Sequence, residues 1–215
     1  GMLVIQLDRY RKQLVEHLST GWPNERTHHS LLILAALVHD VGRSRAGQDA
    51  DVVKLTGAIA GEIGTRLRLS NSEVMRLLQI IQFHPWPVEL DDISPLAIYR
   101  FWRPLGEAGV DVCLLALADY LGAHGTQLHQ KSWLVMVERV RVLLEAWYEK
   151  HDSLVEPPPL LDGNQILQAF SLKPGRVIGE LLEHGREAQV VGEVRSREEA
   201  LEFVRSYLEN DGHDR

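Results

Sequence analysis

Apolar residues recur along this chain at the spacing of one helix face and almost nowhere at the alternation of a strand. Val4, Leu7, Tyr10, Leu14 and Leu18 mark a first helix from Leu3 to Leu18. Leu31 to His39 is apolar nearly all round, which predicts a central, buried helix, and Val110 to Ala123 predicts a second. A helix runs from about Asp51 to Leu69. Ser70-Asn71-Ser72-Glu73 has capping-box spacing and opens the next, which reaches about His84 before Pro85-Trp86-Pro87 stops it. Ser94-Pro95, a cap followed by proline at the first helical position, opens another, and Ser132 to His151 forms a long amphipathic helix. Gly21-Trp22-Pro23-Asn24 is a turn and Gly42 to Ala50 a polar loop. Beyond the stiff Glu156-Pro157-Pro158-Pro159, Asn164–Phe170, Pro174–Val191 and Ser196–Leu208 read as helices, with Ser196 and Glu199 as a second capping box. Val190-Val191-Gly192-Glu193-Val194 is the one segment with a strand-like pattern. The fold class is therefore all-α: a helical body over residues 1–155, a Pro-rich linker over 156–161 and a small helical tail over 162–215.

Composition narrows the function classes. With 215 residues, 45% apolar and 25% charged, the chain is long enough to bury a sizeable core without staples. Its one cysteine, Cys113, excludes an internal disulfide and any multi-thiolate metal site, and its apolar neighbours from Val110 to Leu117 suit a buried small hydrophobe. The net charge of −7 argues against coating nucleic acid by bulk charge and leaves a local basic face open. The longest apolar run, Leu31 to Val38, is too short to span a bilayer, so no membrane partner is expected. No charged-then-apolar segment opens the chain, which makes the cytoplasm the default location.

The chemistry-bearing residues sit at the ends of apolar helices. His39-Asp40 closes Leu31–Val38, Asp119 follows Cys113–Ala118, and His84 follows Leu77–Phe83. A carboxylate on so apolar a helix costs free energy unless something compensates it, and a divalent metal with imidazole and carboxylate ligands is one such compensation. Taken singly, each has an ordinary role: a satisfied core acid, or a histidine partnering a helix C-terminus. Packed together, the helices could deliver these tips to one place.

His39-Asp40-Val41-Gly42, preceded by Leu34-Ala35-Ala36-Leu37-Val38, resembles the signature of the HD superfamily of metal-dependent phosphohydrolases, and Asp119 in Ala118-Asp119 resembles that family's distant aspartate. The resemblance implies an HD-type helical bundle in which His39, Asp40, His84 and Asp119 hold a divalent metal (Mn, Mg, Fe or Zn). Asp40 and Arg43 would serve the reaction, Arg43 neutralising substrate charge where the family commonly has lysine. The implied substrate is a phosphorylated small molecule or nucleotide: a phosphomonoester, a nucleotide or a 2′,3′-cyclic phosphate.

A further resemblance covers most of the chain. Ile98-Tyr99-Arg100-Phe101, Gly109-Val110-Asp111-Val112, Leu115–Asp119, Arg66–Asn71, Pro157–Gly163, Pro174-Gly175 with Ile178-Gly179, Arg186–Gln189 and Glu199-Ala200-Leu201 are similar to the body and tail of bacterial CCA-adding tRNA nucleotidyltransferases and related poly(A) polymerases. Those enzymes carry a catalytic head with a Gly-Ser turn and paired aspartates, and nothing here plays that part. Asp91-Asp92, the one adjacent acidic pair of the body, reads as a solvated loop or cap. The chain should not add nucleotides on its own; it is a free-standing homologue of the body or an excised piece.

The site departs from the family as well. His17 lies near the spacing of the family's first histidine. His28 and His29 fall about 15 Å before His39 along one helix and read as solvent-facing or capping. Asp51-Val52-Val53 has no histidine where relatives often do.

Arg66, Arg68, Arg100 and Arg103, with Arg76 and the aromatics Trp86, Tyr99 and Trp102 nearby, could contact RNA phosphates. The competing reading buries Tyr99 and Trp102 as core and pairs the arginines with acids. From Asp162 onward, 11 acidic against seven basic residues make the tail a poor primary phosphate binder. Two functions follow: a metal-dependent phosphohydrolase, or a non-catalytic module that binds tRNA or docks a nucleotidyltransferase head. Self-association stays open.

Overall fold

A computed structural model of the chain describes residues 7–43 and 51–211, with side chains to residue 209. Among them there is no strand; the one β pairing is an isolated antiparallel bridge between Gly21 and Thr27. The helices are α1 (Arg11–Ser19), α2 (His28–Val38), α3 (Val52–Arg66), α4 (Asn71–Phe83), the single-turn α5 (Trp86–Glu89), α6 (Pro95–Leu105), α7 (Ala108–His124), α8 (Gln130–Glu149), α9 (Gly163–Phe170), α10 (Arg176–Val190) and α11 (Arg197–Asp211). The all-α expectation holds.

Local chemistry sets the boundaries. Thr27 and Ser30 form a capping box at α2, Ser70 and Glu73 another at α4, Asp162 and Gln165 a third at α9. Asp51 caps α3 by accepting from the Lys54 N–H, and Ser94 Oγ accepts from the Ala97 N–H ahead of α6. At α11 Ser196 Oγ accepts from the Glu199 N–H, while the Glu199 carboxylate takes the Arg195 N–H, so the box is split over two residues. Glu73 is fully buried; burial alone would raise its carboxyl, but donors from Ser70, Asn24 and Arg26 outweigh that and hold it at about 2.

The chain divides into two compact units, one of residues 1–91 with 104–145, the other of 92–103 with 146–215. In the first, α4 packs against α2, α3 and α7. Its core holds Ala35, Val38, Ala60, Leu77, Ile80, Ile81 and Leu115. Leu77 is fully buried, and truncation to alanine there costs about 2–5 kcal/mol. In the second unit α9, α10 and α11 enclose Leu161, Ile166, Leu181 and Val204, and Trp102 stacks on Trp147 at 4.7 Å.

Several expectations need correction. The first helix breaks at a turn over Arg9 and Tyr10, where Tyr10 is buried; residues 3–6 of the expected helix lie outside the described residues, as do 44–50 of the expected loop. The apolar helix α2 is not buried all round. It buries Leu31, Ala35 and Val38 against α4 and α7 and leaves Ile33 and Leu37 exposed, because those helices cover one face only. Helix α7 is mostly buried as far as Leu117 and exposed from Leu121 onward. The strand-like Val190–Val194 closes α10 instead: Gly192 takes φ +80° and the N–H groups of Glu193 and Val194 turn back to the Ala188 carbonyl. Cys113 is buried, and burial pushes its thiol up.

Candidate metal centre

In the first unit the C-terminal ends of α2 and α4 meet the later part of α7, where Asp119 lies inside the helix. One nitrogen each of His39 and His84 and one oxygen of Asp119 lie within 4.8 Å of one another. His39 Nε2 is 3.2 Å from Asp119 Oδ1 and 3.7 Å from Asp40 Oδ2, and the two imidazoles meet edge to face at 5.0 Å. His39 and His84 are the C-terminal caps of α2 and α4, which is why each apolar helix ends on an imidazole.

Backbone carbonyls fix the tautomers. His39 Nδ1 is 2.9 Å from the Ala36 carbonyl and His84 Nδ1 is 2.7 Å from the Ile81 carbonyl. A carbonyl only accepts, so both Nδ1 atoms carry hydrogen and the neutral rings present Nε2 lone pairs. Burial first of all lowers the pKa of His84, with the charge on His39 adding and the Ile81 hydrogen bond opposing. With neutral rings the group collects two imidazole lone pairs and a carboxylate, His39 Nε2 standing within hydrogen-bond distance of Asp119 Oδ1. That donor set, with each ring braced by a carbonyl behind it, fits a divalent cation.

The expected desolvation argument is corrected. The Asp40 and Asp119 carboxylates are partly exposed, at 43% and 39%, so water already relieves much of their charge. Asp40 also pairs with exposed Arg43, Nε to Oδ1 2.8 Å, and stands at the rim of the group.

His17 and His28 do not join this centre. They form a second cluster in the same unit with Arg76, Glu107 and Asp111. His28 is buried rather than solvent-facing or capping, because Thr27 takes the cap and the imidazole packs between His17, at 4.8 Å, and Trp22, at 5.6 Å. His17 Nε2 lies 3.0 Å from Asp111 Oδ1 and its Nδ1 3.5 Å from Glu107 Oε1. Arg76 contacts Asp111 at 2.6 Å, Glu107 at 3.0 Å and His28 Nδ1 at 3.2 Å. Sequence reasoning missed this cluster. The signal was Asp111 inside the apolar run after Gly109 and Arg76 inside Val74–Phe83, two charges of opposite sign on faces that pattern alone assigns to the core.

The arginines divide. Arg100 makes two hydrogen bonds to Glu187, at 2.6 and 2.9 Å, and Arg103 binds Glu183 at 3.2 Å; Tyr99 donates to the same Glu183 and both Tyr99 and Trp102 are core. Burial and the Glu183 carboxylate push the Tyr99 hydroxyl up to about 12. Arg66 and Arg68 are exposed at the C-terminal end of α3, Arg68 with φ +55°.

Known proteins were compared with this chain. No family model matches it. It is 32% identical over 191 residues to the A-adding tRNA nucleotidyltransferase of Deinococcus radiodurans, which covers 83% of this chain and 42% of that protein. It is 26% identical over 201 residues to the CC-adding tRNA nucleotidyltransferase of Thermus thermophilus, 88% of this chain and 42% of that protein. A CCA-adding enzyme of Streptococcus suis shares 37% over 65 residues, 30% of this chain and 15% of that protein. The chain thus spans about two fifths of the length of the first two curated relatives. Its relatives are tRNA nucleotidyltransferases, as the sequence blocks implied. No helix of the described residues is long and apolar enough to cross a membrane.

Proposed function

We propose that this chain is an HD-type helical body carrying a divalent-metal centre at His39, Asp40, His84 and Asp119, and that it hydrolyses a phosphoester or nucleotide in the context of tRNA 3′-end processing. The observation that carries the reading is the convergence of His39 Nε2, Asp119 Oδ1 and the His84 imidazole within 4.8 Å, each Nδ1 being held by a backbone carbonyl. A bound divalent ion supplies a lowered water pKa and neutralises phosphoryl charge. The chain's own residues do the rest. Ala36 and Ile81 carbonyls hold the imidazoles in the metal-binding tautomer, Asp40 at the rim accepts the proton of the attacking water, and Arg43, 2.8 Å from Asp40, turns its exposed guanidinium to a phosphoryl oxygen. Water adds to phosphorus, the ester P–O bond breaks, and the alcohol leaves with the proton that Asp40 took from the water.

Calorimetric titration of metal-free protein with Mn2+ tests this: one equivalent binds, and His39→Ala abolishes it. A phosphatase and cyclic-phosphodiesterase screen that is blank in the presence of bound metal overturns the hydrolase.

A second reading is favoured by the relatives, which are tRNA nucleotidyltransferases: the chain is a tRNA-binding or head-docking module without catalysis. Since Glu183 and Glu187 already engage Arg103 and Arg100, exposed Arg66 and Arg68 are the residues to test. Weaker tRNA retention in a gel shift with Arg66→Ala and Arg68→Ala supports it, and unchanged or absent binding removes that face.

A further inference from the structure

A cleft outside the metal group is joined to it through Ile81. Its walls are Asp51, Val53, Lys54 and Gly57 of the α3 N-terminal region and Leu78, Ile81 and Gln82 of α4, and its volume is about 390 Å3. Ile81 is shared: its side chain lines the cleft and its carbonyl accepts from His84 Nδ1 at 2.7 Å. The His39-Asp40 turn reaches the same place from the other side. A Cβ on Gly42 would collide with Thr56 Oγ1 and stand 2.9 Å from the Val52 carbonyl, so that turn is seated on the first turns of α3, where Val53, Lys54 and Gly57 lie. Ile81 on one helix and the start of α3 on the other thus connect the cleft to the elements that carry the proposed centre.

Its chemistry is amphipathic. Val53, Leu78 and Ile81 give apolar lining, the Gln82 amide offers both donor and acceptor, and Lys54 supplies a cation. Gly57 faces open space, with no atom within 4 Å of where a Cβ would stand, although glycine in mid-helix is unfavourable. The volume falls within the range of small-ligand pockets, about 300–1,000 Å3.

We propose that this cleft is the nucleoside subsite of the same centre, so that the substrate is a nucleotide whose phosphate lies at His39, His84 and Asp119 and whose base and ribose lie between α3 and α4. This rests on the metal reading above. The base lies on Val53, Leu78 and Ile81, Gln82 reads its edge, and Lys54 pairs with phosphate oxygen or a following phosphate. A phosphoester with a small alcohol in place of the nucleoside reaches the centre but leaves the cleft empty.

Gly57→Leu is the decisive variant, because it fills the cleft while improving helix propensity, so the unfolding midpoint holds or rises. The expected result is a KM for AMP raised by about tenfold or more, with the KM for glycerol phosphate and the Mn2+ affinity unchanged. Lys54→Gln weakens AMP severalfold and flattens its salt dependence. In NMR spectra of the full chain in EDTA, AMP shifts the Gly57 and Leu78 amides and glycerol phosphate does not. Equal AMP affinity in Gly57→Leu, or amide shifts that do not distinguish the two esters, overturns the subsite. Intact AMP shifts with no Mn2+ binding overturn the centre and leave the cleft standing; Mn2+ binding with no AMP shifts does the reverse.

Discussion

The first unit contains two clusters built from nearly the same parts. One has His39, His84 and Asp119; the other has His17, His28 and Glu107, and by donor geometry each could hold a metal. They differ in what supplies positive charge. In the second, Arg76 sits among the acceptors, 2.6 Å from Asp111, 3.0 Å from Glu107 and 3.2 Å from His28 Nδ1, and Asp111 is wholly buried. In the first, no arginine or lysine reaches His39 Nε2, His84 or Asp119 among the described residues, Arg43 pairing with Asp40 at the rim instead, and the Asp119 carboxylate meets solvent. Two imidazoles and a carboxylate are therefore not by themselves a metal site. The cluster that carries its own cation is a structural knot; the one that lacks it is open to an ion from solution.

The largest consequence concerns the knot. Replacing Arg76 by methionine keeps the volume and removes the charge that Asp111 needs. Breaking a buried pair by removing one partner costs about 3–5 kcal/mol, and the urea midpoint of Arg76→Met should fall accordingly, with Mn2+ binding at His39 unchanged in protein that remains folded. If Arg76→Met is as stable as the parent, the knot is not structural and the contrast fails.

The next effect is on the ion. His39→Ala and Asp119→Ala should each weaken Mn2+ by at least about 100-fold, since altering even the groups behind a metal ligand costs about 10- to 100-fold. Stability without metal should change by less than about 1 kcal/mol, because both side chains are partly hydrated. Raising Mn2+ to 100 times its dissociation constant should stabilise the parent chain by about 2.7 kcal/mol and leave His39→Ala unmoved. The two clusters also predict a crossover. In Arg76→Met combined with His39→Ala, Asp111 and Glu107 lose their cation and the first centre is disabled, so added Zn2+ should restore part of the urea midpoint through His17 and Glu107, an effect absent once His17→Ala is added.

How legible this was in the sequence follows from the same contrast. Helical period, capping boxes and proline stops fixed the helices to within a few residues, because those signals are local; Ser70 with Glu73 is one case. The tips His39, His84 and Asp119 were visible because each ends an apolar run, where a polar residue stands out. The knot was hidden because Asp111 and Arg76 lie inside apolar runs, and whether a buried charge is satisfied depends on its partner, here 35 residues away. Ile33 and Leu37 failed for a related reason: pattern reports how apolar a helix is, while exposure depends on whether a neighbour covers that face.

The smallest effect is the pH dependence of the knot. Burial first, then the Arg76 guanidinium, lowers the pKa of His28 below the ordinary 6.5, with Glu107 and Asp111 opposing and His17 adding to the fall. Unfolding frees His28 to take a proton at about its ordinary value. Between the lowered folded value and 6.5 the unfolded chain binds more protons, so stability rises with pH across that window. His28 thus contributes fully above pH 6.5 and loses its contribution as the pH falls toward its folded value. Urea midpoints of the parent and His28→Gln, compared from pH 8 to pH 5, should converge on acidification, since glutamine has no proton to gain. Midpoints that stay parallel would mean that His28 takes its proton alike in the folded and unfolded chain, so that neither burial nor Arg76 acts on it and the difference between the clusters narrows to the Arg76–Asp111 pair.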